Sequence, residues 1–359
     1  MNIYINSIKQ ISVQQPLSEE WFDKPIIYNA QNVKAIDADY RQYFAQNAAR
    51  RLGKILKRAL LVSKKAMAES GISQPEAIIT GTGLGCIENT EIFLYKLVRE
   101  GEELLNPTHF MQSTHNTISS LVAIETKCHA YNMTYAHKGI SFECALQDAF
   151  IQLTSNRINS VLVGAHDEMT PARYTMLKKS GYLGNPNQTF AGETAVAMML
   201  STEKSENSLC KIEAVEKFYG AAEAGTLRAA LPLPLPLTDI DYIMVGTNGD
   251  EKNDGVYIEN CARLFPNVPL LQYKNIFGES YTAPALGVYA AAVCLRKGEI
   301  SDYMFIDKKC SSKMVNSRSK ILCYNQFENK NHTFILLANC ICSIVSGKEE
   351  KESITGGEN

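Results

Sequence analysis

The pattern of hydrophobic and polar residues in the first 85 positions changes from a helical to an extended period. Between Arg41 and Gly71, apolar residues recur at three- and four-residue spacing with basic residues between them, which predicts an amphipathic helix. Ala77–Thr80 is a short apolar run, and the glycine-rich segment Gly81–Gly85 follows it directly. A strand that leads into a glycine turn is typical of α/β proteins.

The same order of elements returns in the second half of the chain. Tyr242–Val245 is an apolar run followed by another Gly-Thr turn. In the first half, a helical pattern over Cys144–Leu153 precedes an apolar run at Ser160–Gly164, and in the second half Gly287–Leu295 precedes the predicted strand Tyr303–Ile306. This recurrence predicts an internal duplication, with chance similarity between α/β units as the alternative.

The chain changes character between the two repeats and at its C-terminus. The run Leu231–Pro236 alternates leucine with proline. It is predicted to be extended, because proline fixes φ and disfavours helix in the residue before it. The last residues are charged and contain glycine. We predict an N-terminal half at 1–205, a C-terminal half at 206–345 and a disordered tail at 346–359.

Composition places few constraints on function. A hydrophobic fraction of 45% and a charged fraction of 21% suit a globular protein, and a net charge of -2 argues against nucleic acid or an anionic membrane as a partner. The ten cysteines form no CxxC pair, and neither a secretory leader nor a bilayer-length apolar run is found. We therefore expect a cytoplasmic protein with free thiols, no membrane insertion, no metal and no cofactor.

Several motifs, taken in order, resemble those of the β-ketoacyl-acyl-carrier-protein synthases, which have the thiolase fold. The resemblance covers nearly the whole chain, to about residue 340. It implies a thiolase-like α/β fold with two duplicated β-α-β-α-β-β halves in five layers, αβαβα. The matching motifs are Gly81–Gly85, Asn106–Phe110 with Ser113–Asn116, Val161–Gly164 with Asp167 and Glu168, Phe190–Glu193, Asn253 with Asp254, and Lys274 with Gly278.

The condensing enzymes of this family use a cysteine and two histidines, and all three are missing here. The thiolate carries the acyl chain at a helix N-terminus, while the histidines assist decarboxylation and stabilise the enolate. The resemblance places the cysteine near Gly139 or Ile140, the first histidine at Gly246 and the second at Glu279. A carboxylate at position 279 would repel both a malonyl group and an enolate. We predict no catalytic residue, and an ion pair between Glu279 and Lys274.

Three residues near these positions are fallback candidates for catalysis: His137, Cys144 and Lys274. Cys144 should lie about one turn into a helix capped by Ser141, where packing is the alternative role. A structural or solvated side chain is the alternative for His137, and a surface lysine is the alternative for Lys274. The segment Asn325–Asn331, where the resemblance places a glycine-rich gate, contains no glycine.

The resemblance implies a subunit similar to a chain length factor, which has the synthase fold, lacks the cysteine and forms a heterodimer with an active synthase. Its interface is expected at Thr114–Leu121 and Met133–Thr134, with acyl carrier protein as a further partner in fatty acid, polyketide or aryl-polyene type chain elongation. Two alternatives remain. One is a β-ketoacyl synthase, acyltransferase or decarboxylase of altered chemistry that uses His137, Cys144 or Glu279. The other is a homodimeric scaffold that binds acyl carrier protein.

Overall fold

The computed structural model describes residues 2–44, 50, 52–103, 105–220, 239–307 and 313–340. The Leu231–Pro236 run and the predicted tail at 346–359 lie outside these residues. The described residues form ten strands and nine α-helices. The strands are β1 (Ile3–Ile11), β2 (Ala77–Gly81), β3 (Tyr131–Tyr135), β4 (Ser160–Asp167), β5 (Thr194–Ser201), β6 (Cys210–Tyr219), β7 (Tyr242–Val245), β8 (Leu270–Gln272), β9 (Lys320–Phe327) and β10 (Asn331–Asn339). The helices are α1 (Lys54–Ser70), α2 (Ile87–Glu100), α3 (Pro107–Met111), α4 (Thr117–Thr126), α5 (Ser141–Thr154), α6 (Pro171–Lys179), α7 (Glu251–Leu264), α8 (Lys274–Phe277) and α9 (Pro284–Lys297).

The strand order is the same in the two halves of the chain. In the first half it is β3-β2-β4-β5-β1, and in the second half the equivalent order is β8-β7-β9-β10-β6. The halves join where β1 pairs antiparallel with β6, with Ile3 opposite Ile212. Residue 205 lies in the connection between β5 and β6. The internal duplication predicted from the sequence is confirmed by this repeated order.

Two helices lie between the sheets of the two halves and form the central layer. α5 packs on β2 and β4 of the first half and on β6 of the second, while α9 packs on β9, β10, β1 and β5. Residues Pro284–Leu295 of α9 are all buried, and a helix enclosed on every side is apolar all round. Outer helices cover the other faces of the sheets. α1 packs on β1, β4 and β5 of the first half, and α7 packs on the second half through Tyr257 and Cys261. The predicted five-layer α/β arrangement is confirmed.

Three local predictions are wrong. Asp302–Met304 forms a 3-10 turn instead of a strand, and the strands that flank β7 are β8 and β9. The short apolar run at 303–306 has no alternating period, so it fits a turn that buries only Met304 and Phe305 as well as it fits a strand. The helix predicted over Arg41–Gly71 is confirmed from Lys54 to Ser70, but its predicted start is wrong, because Tyr40–Gln42 forms a 3-10 turn. Ser141 is the first residue of α5 and not its cap, because its hydroxyl accepts from the backbone N–H of His137 and donates to the carbonyl of residue 138.

Candidate functional site

A cavity of about 340 Å³ opens where segments of the two halves meet. It lies near the start of α5, the loop after β7, the segment after α8 and the β9–β10 hairpin, so each contributing side chain is held at the end of a packed element. Clefts of this kind at the ends of strands are the usual place for sites in α/β proteins. The lining residues fall within 139, 181–188, 248–256, 274–284 and 325–329.

A buried ion pair forms one wall of the cavity. The Nζ of Lys274 lies 2.8 Å from Oε2 of Glu279, and the two side chains are 7% and 2% exposed. Asn248 donates to the same oxygen at 2.7 Å, and the hydroxyl of Tyr182 donates to Oε1 at 3.4 Å. The pairing predicted from the sequence is confirmed, and the surface-lysine alternative is wrong. A buried charge is tolerated when it is paired and hydrogen-bonded in this way.

The turn before Glu279 depends on glycine. Gly278 has a φ of +78°, and a Cβ there would lie 2.6 Å from the ring of Phe190. The backbone N–H of Glu279 donates to the carbonyl of Phe190 at 2.8 Å, while the carbonyl of Glu279 accepts from Gly192 at 2.9 Å. These contacts orient the carboxylate towards Lys274. The glycine quoted as part of the resemblance therefore has a steric reason to be there.

Gly139, near which the resemblance places the nucleophile, has no room for a side chain. It lies in the 3-10 turn just before α5 and is buried. A Cβ at this position would be 2.3 Å from Cδ2 of Phe327. Phe327 ends β9 and packs edge-on against Tyr281, with ring centroids 5.9 Å apart. The helix N-terminus that would favour a thiolate is thus covered by an aromatic ring from the second half.

Gly246, the position expected for the first histidine, is blocked in a similar way. A Cβ there would be 2.5 Å from the hydroxyl oxygen of Tyr257 and 3.0 Å from Oδ1 of Asn325. Tyr257 donates to that same Oδ1 at 2.9 Å. The loop beyond Gly246 is held by Asp254, which accepts from the backbone N–H groups of residues 248 and 249 at 2.8 Å each. The Asn-Asp motif therefore shapes the loop, although glycine stands where the resemblance expects a histidine.

Sequence reasoning missed Glu143, a carboxylate behind the cavity wall. It is fully buried on α5 and accepts from Asn325 at 2.6 Å and from Thr333 at 3.3 Å. Its Oε2 has no hydrogen-bond partner among the described residues. Burial raises the pKa of Glu143 to about 7, against a smaller lowering by Asn325. The signal in the sequence was an acidic residue between the apolar residues Phe142 and Cys144 at the start of a predicted helix.

Two of the fallback candidates lie away from the cavity. His137 is exposed and does not contribute to the cavity lining. Cys144 is also absent from the lining, and its Sγ accepts from Nζ of Lys217 at 3.2 Å. Burial raises the pKa of the Cys144 thiol, which disfavours the nucleophilic thiolate. Of the three candidates, the cavity contains only Lys274.

The acidic residues quoted in the resemblance hold turns around the site. Oδ1 of Asp167 accepts from the backbone N–H groups of Gly83 and Leu84 at 2.9 and 2.8 Å, which fixes the glycine turn after β2. Glu193 is buried and lies 2.8 Å from the guanidinium of Arg58. Burial acts to raise the pKa of Glu193, but Arg58 and backbone N–H donors hold it below its usual value. These carboxylates stabilise the scaffold.

The segment expected to be the gate is a tight hairpin between β9 and β10. Glu328 and Asn329 both have positive φ values, 56° and 51°. Non-glycine residues adopt this conformation at some cost. The side chain of Gln326 closes the turn by accepting from the backbone N–H of Asn329 at 2.8 Å. The hairpin thereby presents Phe327 over Gly139.

Among the described residues, no three metal-ligating side chains come together. Within the same residues, no helix combines the length and hydropathy that crossing a bilayer requires.

Comparisons with known proteins agree with this architecture. The family described as "Beta-ketoacyl synthase, N-terminal domain" matches residues 23–235. No curated protein is a significant match. The ishigamide ketosynthase/chain length factor has a TM-score of 0.78 and 15% identity, covering 95% of this chain and 99% of the other. A ketosynthase in complex with its chain length factor from Xenorhabdus doucetiae has a TM-score of 0.74 and 13% identity, covering 94% and 98%. A type II polyketide acyl carrier protein in complex with its ketosynthase has a TM-score of 0.74 and 11% identity, and the match covers 94% of this chain and 99% of the other. The family match spans more than half of the 359 residues, and the chain belongs to the beta-ketoacyl synthase family.

Proposed function

We propose that this chain is a non-condensing subunit that pairs with an active β-ketoacyl synthase, in the manner of a chain length factor. The observation that carries the proposal is the buried Lys274–Glu279 pair, which puts a carboxylate where the resemblance expects a histidine. A carboxylate cannot donate a hydrogen bond to a developing negative charge at neutral pH. Phe327 and Tyr257 support the proposal further, since their side chains occupy the space that a cysteine at position 139 and a histidine at position 246 would need.

The proposed partner surface is the sheet edge formed by β3 together with α4. β3 pairs on one side only, with β2, and lies at the end of the described sheet. Met133 on β3 and Ile124 on α4 are 39% and 73% exposed. An unpaired strand with exposed apolar side chains is a ready template for another chain. The partner would be an active synthase, with a second copy of this chain as the alternative, and acyl carrier protein would deliver the substrate.

Co-expression with an active synthase of the same source tests this proposal. The pair should co-purify, condense acyl and malonyl carriers, and make products whose length changes when this chain is omitted. The isolated chain should not condense at an enzymatic rate. Met133→Glu should abolish co-purification, whereas Met176→Glu, a matched change on the exposed face of α6, should not. Condensation by the isolated chain would contradict the proposal, as would unchanged activity and product length without it.

The altered-chemistry alternative has one observation in its favour. Glu143, with a pKa raised by burial to about 7, could exchange a proton near neutral pH. Its carboxylate is linked through Asn325 to the carbonyl of Gly139, which lines the cavity. Incubation of the isolated chain with malonyl carrier tests this role. Decarboxylation that Glu143→Gln abolishes would favour it over the subunit proposal.

A further inference from the structure

Cys144 is a thiol for which the proposed function has no use. It lies on α5, is 6% exposed, and its Sγ is 3.2 Å from Nζ of Lys217 on β6. Lys217 itself is exposed, and its ammonium is in hydrogen-bond contact with the thiol. The other charged group beside the sulfur is Glu143, which acts to raise the pKa of the thiol. Each partner comes from a different half of the chain.

We propose that Cys144 and Lys217 are an oxidisable pair that closes a covalent sulfur–oxygen–nitrogen bridge with dioxygen as the oxidant. The S–H bond and one N–H bond of the neutral amine break, and S–O and O–N bonds form. One oxygen atom of dioxygen stays in the bridge, and the other leaves as water with the two hydrogens. Sulfur and nitrogen together supply the four electrons that reduce dioxygen.

The surroundings favour this bridge over the usual fates of a cysteine. Because Cys144 is buried, a second protein thiol or a bulky alkylating reagent has little access to it. A molecule as small as dioxygen requires far less room. The lysine stem is flexible, so Nζ can follow the sulfur as the bridge shortens the contact. The bridge would link α5 to β6 and so cross-link the two halves of the chain.

Peptide mass analysis of the full-length protein tests the proposal. Reduced protein is exposed to air-saturated buffer near pH 8.5, unfolded and labelled with iodoacetamide. We expect labelling of Cys144 to be lost and then restored by dithiothreitol. A joined peptide containing Cys144 and Lys217 should appear, heavier than the sum of the two peptides by one oxygen less two hydrogens. Cys323, also buried, is the internal control and should stay labelled throughout.

Lys217→Arg provides the matched variant, because it keeps a positive charge beside the sulfur but offers no amine for the bridge. Its Cys144 should remain fully labelled after the same exposure. The proposal is overturned if Cys144 of the wild-type protein stays labelled. It is also overturned if Cys144 loses its label equally in both proteins without a joined peptide, since that indicates simple sulfur oxidation. The decisive peptide comes from the wild-type protein, so the test does not depend on the variant folding.

Discussion

The Lys274–Glu279 pair allows a quantitative test of how the cavity is stabilised. Lys274→Met keeps most of the apolar stem but leaves the carboxylate of Glu279, 2% exposed, without its cation. Removing one partner of a buried pair costs about 3–5 kcal/mol. Asn248 and Tyr182 still donate to the carboxylate, so we expect the lower end, about 3 kcal/mol of unfolding free energy.

The pH dependence of that loss follows from the same geometry. In Lys274→Met, the buried carboxylate without its cation should have a pKa above that of the unfolded chain. When the pKa of a carboxyl is higher in the folded state than in the unfolded state, the protein loses stability as pH rises above the unfolded-state pKa. The reason is that the unfolded chain releases the proton at a lower pH than the folded chain does. The destabilisation should therefore be larger at pH 8 than at pH 5. Guanidinium unfolding of both proteins at the two pH values measures it.

A double-mutant cycle identifies the pair as the cause. Glu279→Gln keeps an acceptor for Asn248, and alone it should lower the unfolding free energy by a similar amount. The double variant, Lys274→Met with Glu279→Gln, should be at least about 2 kcal/mol more stable than the sum of the two single losses predicts. Lys64→Met is the matched control, since Lys64 pairs with Glu125 while both side chains are 39% exposed, and it should cost less than about 1 kcal/mol. Additive single effects within about 0.5 kcal/mol would refute the reasoning.

Other predictions concern the covered positions and the buried carboxyl. Gly139→Ala should cost about 1–3 kcal/mol by forcing Phe327 aside, and Phe327→Ala should remove that extra cost, as urea unfolding would show. Gly246→His should not restore condensation and should destabilise the fold against the hydroxyl of Tyr257; activity assays and melting curves check both. The pKa of Glu143 is raised to about 7, so the wild type should lose stability as pH rises from 5 towards 7, and Glu143→Gln should flatten this dependence by about 2 kcal/mol.

Much of the scaffold could be predicted because it depends on local patterns. β7 matches the predicted Tyr242–Val245 run, and β2 extends the predicted Ala77–Thr80 run by one residue. In both cases an apolar run ends at a glycine turn, so the sequence contains its own boundary. The run at Tyr303–Ile306 has no such boundary, and packing decided its conformation instead. A local pattern therefore predicts secondary structure only where a single conformation is compatible with it.

The candidate site was predictable in its residues but not in the contacts that fill it. The identities of Gly139 and Gly246 are read directly from the chain, yet the ring that covers Gly139 belongs to Phe327, far away in the sequence. The ring at Gly246 belongs to Tyr257 on the next helix, α7. No local spacing links Gly139 to Phe327, because these two residues lie in different halves of the chain and meet only when the halves pack together. The Lys274–Glu279 pair was predictable because its partners are five residues apart.

The central position of α5 and α9 has a consequence for synthesis of the protein. α5 packs on strands of both halves, and its second set of partners follows it by more than 50 residues, from Cys210 onwards. During synthesis on the ribosome, the apolar face of α5 that packs on the second repeat therefore stays exposed until that repeat has been synthesised. We expect the two repeats to form one cooperative folding unit. A chain truncated after residue 205 should then aggregate or require a chaperone, however complete its own five strands are.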